Sequence, residues 1–163
     1  MNILALLLAG GVAYGIYTII DASSVSNAGD KLISDIDGLK IKGWESGKIP
    51  IELTLRHSNP TGRNLDVEFM FLDITIDGKS FGSIRQDSSN NVNKDPLFVI
   101  SKNSTSYQTV RSEVPLFGAA ASTALLIANG KPPKEARIKG PMKVGGFVTE
   151  YDKVVPITIP FLN

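Results

Sequence analysis

The chain has 163 residues, 17 Lys and Arg against 16 Asp and Glu, one His and no Cys. The absence of Cys excludes disulfides, thiolate metal sites, Cys nucleophiles and the acceptor of a lipoprotein anchor. The near-cancelling charge leaves no basic stripe that would suit nucleic acid. Residues 3–20 (ILALLLAGGVAYGIYTII) carry no charge and no Pro. As a helix those eighteen residues rise roughly 27 Å, close to the hydrocarbon thickness of a bilayer. The run predicts a single transmembrane anchor over 1–20, with Ile3, Leu7, Gly11, Gly15, Tyr17 and Ile20 on it. Gly11 and Gly15 form a G-x-x-x-G pair, which either packs two anchors together or reflects how common Gly is in membrane helices. A cleaved leader would need a positive n-region, yet only Met1 and Asn2 precede the run; its nearest candidate site is Ala22-Ser23-Ser24. Lys31, Lys40 and Lys42 follow at a distance and none precedes, so the charges leave orientation open.

Residues 21–38 read as a linker. Leu32, Ile33, Ile36 and Leu39 have helical spacing, so a short amphipathic piece and a plain run into the first strand both fit. A domain over 39–163, roughly 125 residues, suits one core. Its period is two: Ile49, Ile51, Leu53 and Leu55 alternate with polar residues, and Asn59-Pro60-Thr61-Gly62 marks a turn. In the next strand Leu65, Val67, Phe69 and Phe71 share one parity and Leu72, Ile74 and Ile76 the other, which predicts a bulge or a change of sheet. Asp77-Gly78 is a two-residue hairpin signal. Residues 85–96 (RQDSSNNVNKDP) read as a long polar loop, 97–100 as a short strand, 102–104 as a turn and 105–116 as an extended segment. Residues 119–129 (AAASTALLIAN) predict a helix that Gly130 stops. Strands at 136–148 and 154–161 close the chain around turns at Gly145-Gly146 and Tyr151-Asp152. Pro156 and Pro160 point to an edge strand there.

No constellation reads as an active site. Gly78-Lys79-Ser80-Phe81-Gly82 matches G-x-S-x-G, but that nucleophile elbow needs a strand before it, a helix after it and a later His. Here a hairpin precedes Ser80, and His57, the only His, lies upstream. A lone His with no Cys is a poor metal set. Asp87, Asp95, Asn90, Asn91 and Asn93 offer oxygen ligands, but without the spacing or closing Glu of a calcium loop. Asn103-Ser104-Thr105 is a formal glycosylation sequon. No Gly-rich phosphate loop is present. No catalytic residue, metal or cofactor is expected.

Laid out in order, the strands resemble the late-embryogenesis-abundant type 2 family, whose domain is also called the WHy domain. The resemblance runs from about Leu39 to Leu162 and rests on three places. Residues 51–60 (IELTLRHSNP) look like the family's alternating strand that ends in Asn-Pro, here Asn59 and Pro60. Residues 65–84 look like its central hairpin. Val114-Pro115, the helix to Gly130, Ile138-Lys139-Gly140 and the Pro-flanked last strand follow in the family's late order. The resemblance implies an immunoglobulin- or fibronectin-like β-sandwich with one short helix and no catalytic activity. It also implies links to stress protection, often with an N-terminal anchor. The 85–96 loop departs from the family by its length and Asn content. Together these readings predict a mainly β, membrane-localised, non-enzymatic protein acting by contact. Its partners are the lipid bilayer and other chains of a membrane-associated assembly, with a homo-oligomer among the options and nucleic acid excluded. It is either a structural component, such as part of a virion with an internal membrane, or a stress-protection protein of the cell envelope. The alternative is a small-molecule or lipid-binding module.

Overall fold

The computed structural model describes residues 32–44, 46–90, 93 and 95–162. The predicted anchor, with Ile3, Leu7, Gly11, Gly15, Tyr17 and Ile20, lies outside the described residues. Among the described residues no helix is long and apolar enough to cross a membrane.

The described chain is mainly β, with one helix. Its strands are β1 (Ile33–Ile41), β2 (Lys48–Asn59), β3 (Leu65–Ile76), β4 (Lys79–Asp87), β5 (Phe98–Ile100), β6 (Ser104–Pro115), β7 (Glu135–Val144) and β8 (Phe147–Thr158). The helix, α1 (Gly118–Ala128), falls between β6 and β7. The strands form one hydrogen-bonded path, β4-β3-β7-β8-β1-β2-β6, and β5 pairs with β3 beyond the end of β4. Every pairing is antiparallel except β1 with β8, which is parallel and confined to Leu39–Ile157 and Lys40–Thr158. The sheet curls into a half-barrel.

Alternation explains the core. Ile49, Ile51, Leu53 and Leu55 of β2 point inward, and so do Leu72, Ile74 and Ile76 of β3, with Ile138 and Met142 of β7 beside them. Full burial of such side chains contributes about 1.5–3 kcal/mol each. The parity change foreseen in β3 is present but sits earlier, between Val67 and Met70, where the register against β7 shifts. Phe69 and Phe71 therefore fall on the outer face. Their rings stack at 4.9 Å, and the Arg85 guanidinium lies over Phe71. Asp77 (φ 50°) and Gly78 (φ 73°) both take the left-handed conformation of a type I′ turn, which matches the twist of β3 and β4.

Four expectations are corrected. Ile33 to Gly38 belong to β1, so the spacing of Leu32, Ile33, Ile36 and Leu39 is that of a bulged strand, shifted between Ile36 and Gly38. Arg85, Gln86 and Asp87 extend β4 instead of opening a loop, because they pair with Phe71, Met70 and Phe69. Tyr151 and Asp152 lie inside β8. Tyr151 is buried in the core, and Asp152 is held across the strand by Arg137 at 2.6 Å. β8 is interior in the path, with Pro156 beside Gly38, at the bulge that leaves no continuous β1–β8 ladder for an N–H to join. Where β1 and β8 part, Asp35 pairs with Lys153 and with Arg56. Burial opposes the Asp35 charge, but Lys153, the Ile36 N–H and Arg56 together outweigh it and hold the carboxyl below its usual range.

Register defines two poles. Ile33 pairs with Ser58 and Ser58 with Thr105, so the start of β1, the end of β2 and the start of β6 lie together at a near pole. Ile41 pairs with Ile51, Lys48 with Pro115 and Lys40 with Thr158. These pairs gather the other strand ends, residues 42–44 and 46–47, and α1 at a far pole.

Candidate functional site

At the near pole, Asn59 and Pro60 end β2, as their chemistry predicts. Asn59 is fully buried (0% exposed). Its Nδ2 donates to the carbonyls of Arg63 (2.9 Å), Ile100 (3.3 Å) and Ser101 (3.2 Å). Its Oδ1 accepts from the Thr61 backbone N–H (3.0 Å) and from Thr61 Oγ1 (2.6 Å). One amide thus ties the 60–63 turn to the end of β5, and Pro60, which has no N–H, stops the ladder. The arrangement is a fastening and leaves no polar atom for a ligand.

His57 is 1% exposed. Its Nδ1 lies 2.8 Å from Ser34 Oγ on β1, and Phe98 packs against its ring at 5.6 Å. Nε2 has no hydrogen-bond partner, and the buried Tyr151 hydroxyl approaches Ser34 without reaching hydrogen-bond geometry. Burial pulls the imidazole down to about 4 and pushes the Tyr151 phenol up. A Ser–His contact of this kind lacks the group that orients a catalytic base, and it is closed to substrate. Ser80 opens β4 beside the hairpin at the opposite pole, so the G-x-S-x-G match brings no His to its serine. Asp87 accepts from the Ser89 backbone N–H at 2.8 Å, and the Ser89 side chain together with that N–H holds its carboxyl below the usual range. It starts a short 3-10 turn, Ser88–Asn90. Asn91 lies outside the described residues. Among the described residues no three His, Cys, Asp or Glu gather as a metal site.

The far pole differs from the rest of the surface. α1 packs Ala120, Thr123, Ala124 and Ile127 inward and turns Leu125 (64% exposed) outward; Phe117 (71%), the residue that caps its start, also points outward. It carries no charged residue, and Ser122 Oγ bonds back to the Gly118 carbonyl at 3.2 Å. The segments that lead into and out of it are fastened to neighbouring parts of the chain. Leu116 N–H donates to the Gly47 carbonyl (2.8 Å), and Ile157 N–H donates to the Lys134 carbonyl (2.8 Å). Trp44 (40% exposed) and Phe161 (44%) meet edge to face at 5.4 Å in this same end. All the large exposed Trp and Phe rings of the described residues are therefore at one pole. Lys131 and Lys134 flank the helix exit, exposed and without an ion pair among the described residues. The helix itself is legible in the sequence, but its outward face is not. The signal that could have marked it is the seventeen-residue stretch 114–130, which has no charge.

No protein-family model matches the chain, and no curated protein matches it. Among solved structures, the chain is similar to a crystal structure of a protein from Archaeoglobus fulgidus, with TM-score 0.50 and 14% identity over 75% of this chain and 94% of that one. It is also similar to a crystal structure described as an ApaA protein from Bordetella pertussis, with TM-score 0.45 and 13% identity over 80% and 95% of the two chains. The archaeal likeness is one of fold alone.

Proposed function

We propose that this chain is a non-catalytic, membrane-anchored β domain that acts by contact through its far pole. In this reading residues 1–20 hold it in a bilayer. The two halves of the curled path, β6-β2-β1 and β8-β7-β3-β4, face each other as the layers of a late-embryogenesis-abundant type 2 sandwich. Its role is that of a structural component of a membrane-associated assembly, or of a stress-protection protein built the same way. The observation that supports this most is the charge-free helix with Phe117 and Leu125 turned to solvent. A small domain gains nothing from such a face alone. Covering the two side chains contributes roughly 1–2 kcal/mol each, scaled from full burial by their exposure. In keeping with a role by contact, His57 is shut in the core and Ser80 of the G-x-S-x-G match stands apart from it.

Photocrosslinking in the membrane-bound full-length protein tests the reading. A benzophenone side chain at position 125 is expected to give adducts, while one at Val99, an exposed residue of β5 at the near pole, gives few. Equal yields at both positions would remove the far pole as the contact surface.

A further inference from the structure

The far pole has a surface chemistry that selects among partners. Protein interfaces mix apolar area with about one hydrogen bond per 100–200 Å². Along its middle, the outward side of α1 offers almost none: the backbone groups there are spent in the helix, and its one outward hydroxyl, Ser122, is bonded to the Gly118 carbonyl. At the same pole stand an indole and a phenyl ring, Trp44 and Phe161, and two lysines without carboxylate partners among the described residues, Lys131 and Lys134. An apolar face with aromatic side chains and a cationic margin is the composition of a helix lying in a bilayer interface.

Reach agrees. The twelve residues 21–32 between the apolar run and β1 extend up to about 40 Å. β1, nine residues long, separates the poles by about 30 Å. A domain tethered at its near pole can therefore fold back and set its far pole on the bilayer that holds the anchor. Tethering raises the effective concentration of that bilayer, so a weak interfacial contact is enough.

We infer that the far pole rests on the lipid bilayer, with Phe117, Leu125 and Trp44 at the level of the headgroups and upper acyl chains and Lys131 and Lys134 toward anionic phosphates. This rests on the anchored reading above. Trp44 is the only Trp of the chain and reports on it directly. The full-length protein is reconstituted into phosphatidylcholine–phosphatidylglycerol vesicles (three to one) containing lipids brominated near the top of the acyl chain. Trp44 emission is expected to fall by at least half against unbrominated vesicles. In Leu125→Asp, with Leu125 already exposed and the fold kept (checked by circular dichroism), most of that quenching is lost. Unquenched Trp44 in the wild type, as open to iodide as in Leu125→Asp, would overturn the inference. So would shielding of Trp44 by a co-purified protein chain without lipid quenching, which assigns the pole to a protein. Alkaline extraction of the same vesicles separates the two readings. Protein that stays in the membrane with an unquenched Trp44 refutes only the docking, whereas protein released by alkali refutes the anchor and the docking with it.

Discussion

Replacing Asn59 is the sharpest perturbation of the fold. Of the five hydrogen bonds its amide makes, three are buried: those to the Ile100 carbonyl and to the backbone N–H and hydroxyl of Thr61. Each is worth about 1 kcal/mol net, and the two half-buried bonds to Arg63 and Ser101 add less. Asn59→Ala is therefore expected to cost about 3–4 kcal/mol, the upper part arising because the Thr61 N–H and the Ile100 carbonyl are left without partners. For a chain of this size that lowers Tm by roughly 8–14 °C. Thermal unfolding of the full-length protein in detergent, followed by far-ultraviolet circular dichroism, measures it. Asn59→Asp separates hydrogen bonding from packing, since it keeps the shape and the acceptor for Thr61 but turns a carboxylate toward three carbonyls. It should be at least as unstable as the alanine variant at pH 7 and recover in part as acid protonates it. A loss below 1 kcal/mol in both variants would refute the fastening role.

Three further outcomes follow from the same geometry. His57 has its pKa lowered by burial from 6.5 to about 4, so the unfolded chain binds the extra proton between those values. Its contribution is complete above pH 6.5 and is lost as pH falls toward 4, up to about 3 kcal/mol. Denaturant titrations should show that slope, and His57→Gln should remove it; an unchanged slope assigns it to other groups. A Cβ added at Gly82 would lie 2.6 Å from a Val114 methyl, where β4 meets β6. Gly82→Ala should cost about 1–3 kcal/mol and Val114→Ala should suppress much of that cost, whereas simple additivity in the double variant would contradict the contact. Phe117→Ser, at an exposed position, should change stability in detergent by less than about 0.5 kcal/mol while lowering crosslinking at position 125; a large destabilisation would place that ring in the core.

Much of the architecture was legible because it is local. The alternation in β2, the bounds of β3 and the Asp77-Gly78 turn follow from period-two burial and from left-handed turn residues. The helix followed from Ala-rich sequence and a Gly stop; Gly130 has φ 69° and its N–H bonds to the Ile127 carbonyl. The failures are non-local. Tyr151-Asp152 resembles a turn until β7 supplies Arg137 as a cross-strand partner and the core takes the ring. Gln86 and Asp87 resemble a loop until β3 pairs with them. The curl of the sheet depends on two residue pairs between β1 and β8, over a hundred positions apart, which no window of sequence contains. Asn59 was legible as a turn residue but not as a buried hub, because its partners Ile100 and Ser101 arrive from β5 and the turn that follows it. α1 is apolar on both sides, so only its packing against the half-barrel shows which side remains for a partner.

The proposed role requires the attachment of residues 1–20 to a bilayer. Alkaline extraction of native membranes, comparing the full chain with a variant lacking those residues, tests it most directly. Full-length protein that stays in the pellet and truncated protein that moves to the supernatant is the result expected. Release of both by alkali, or retention of both, would contradict an anchor in the apolar run.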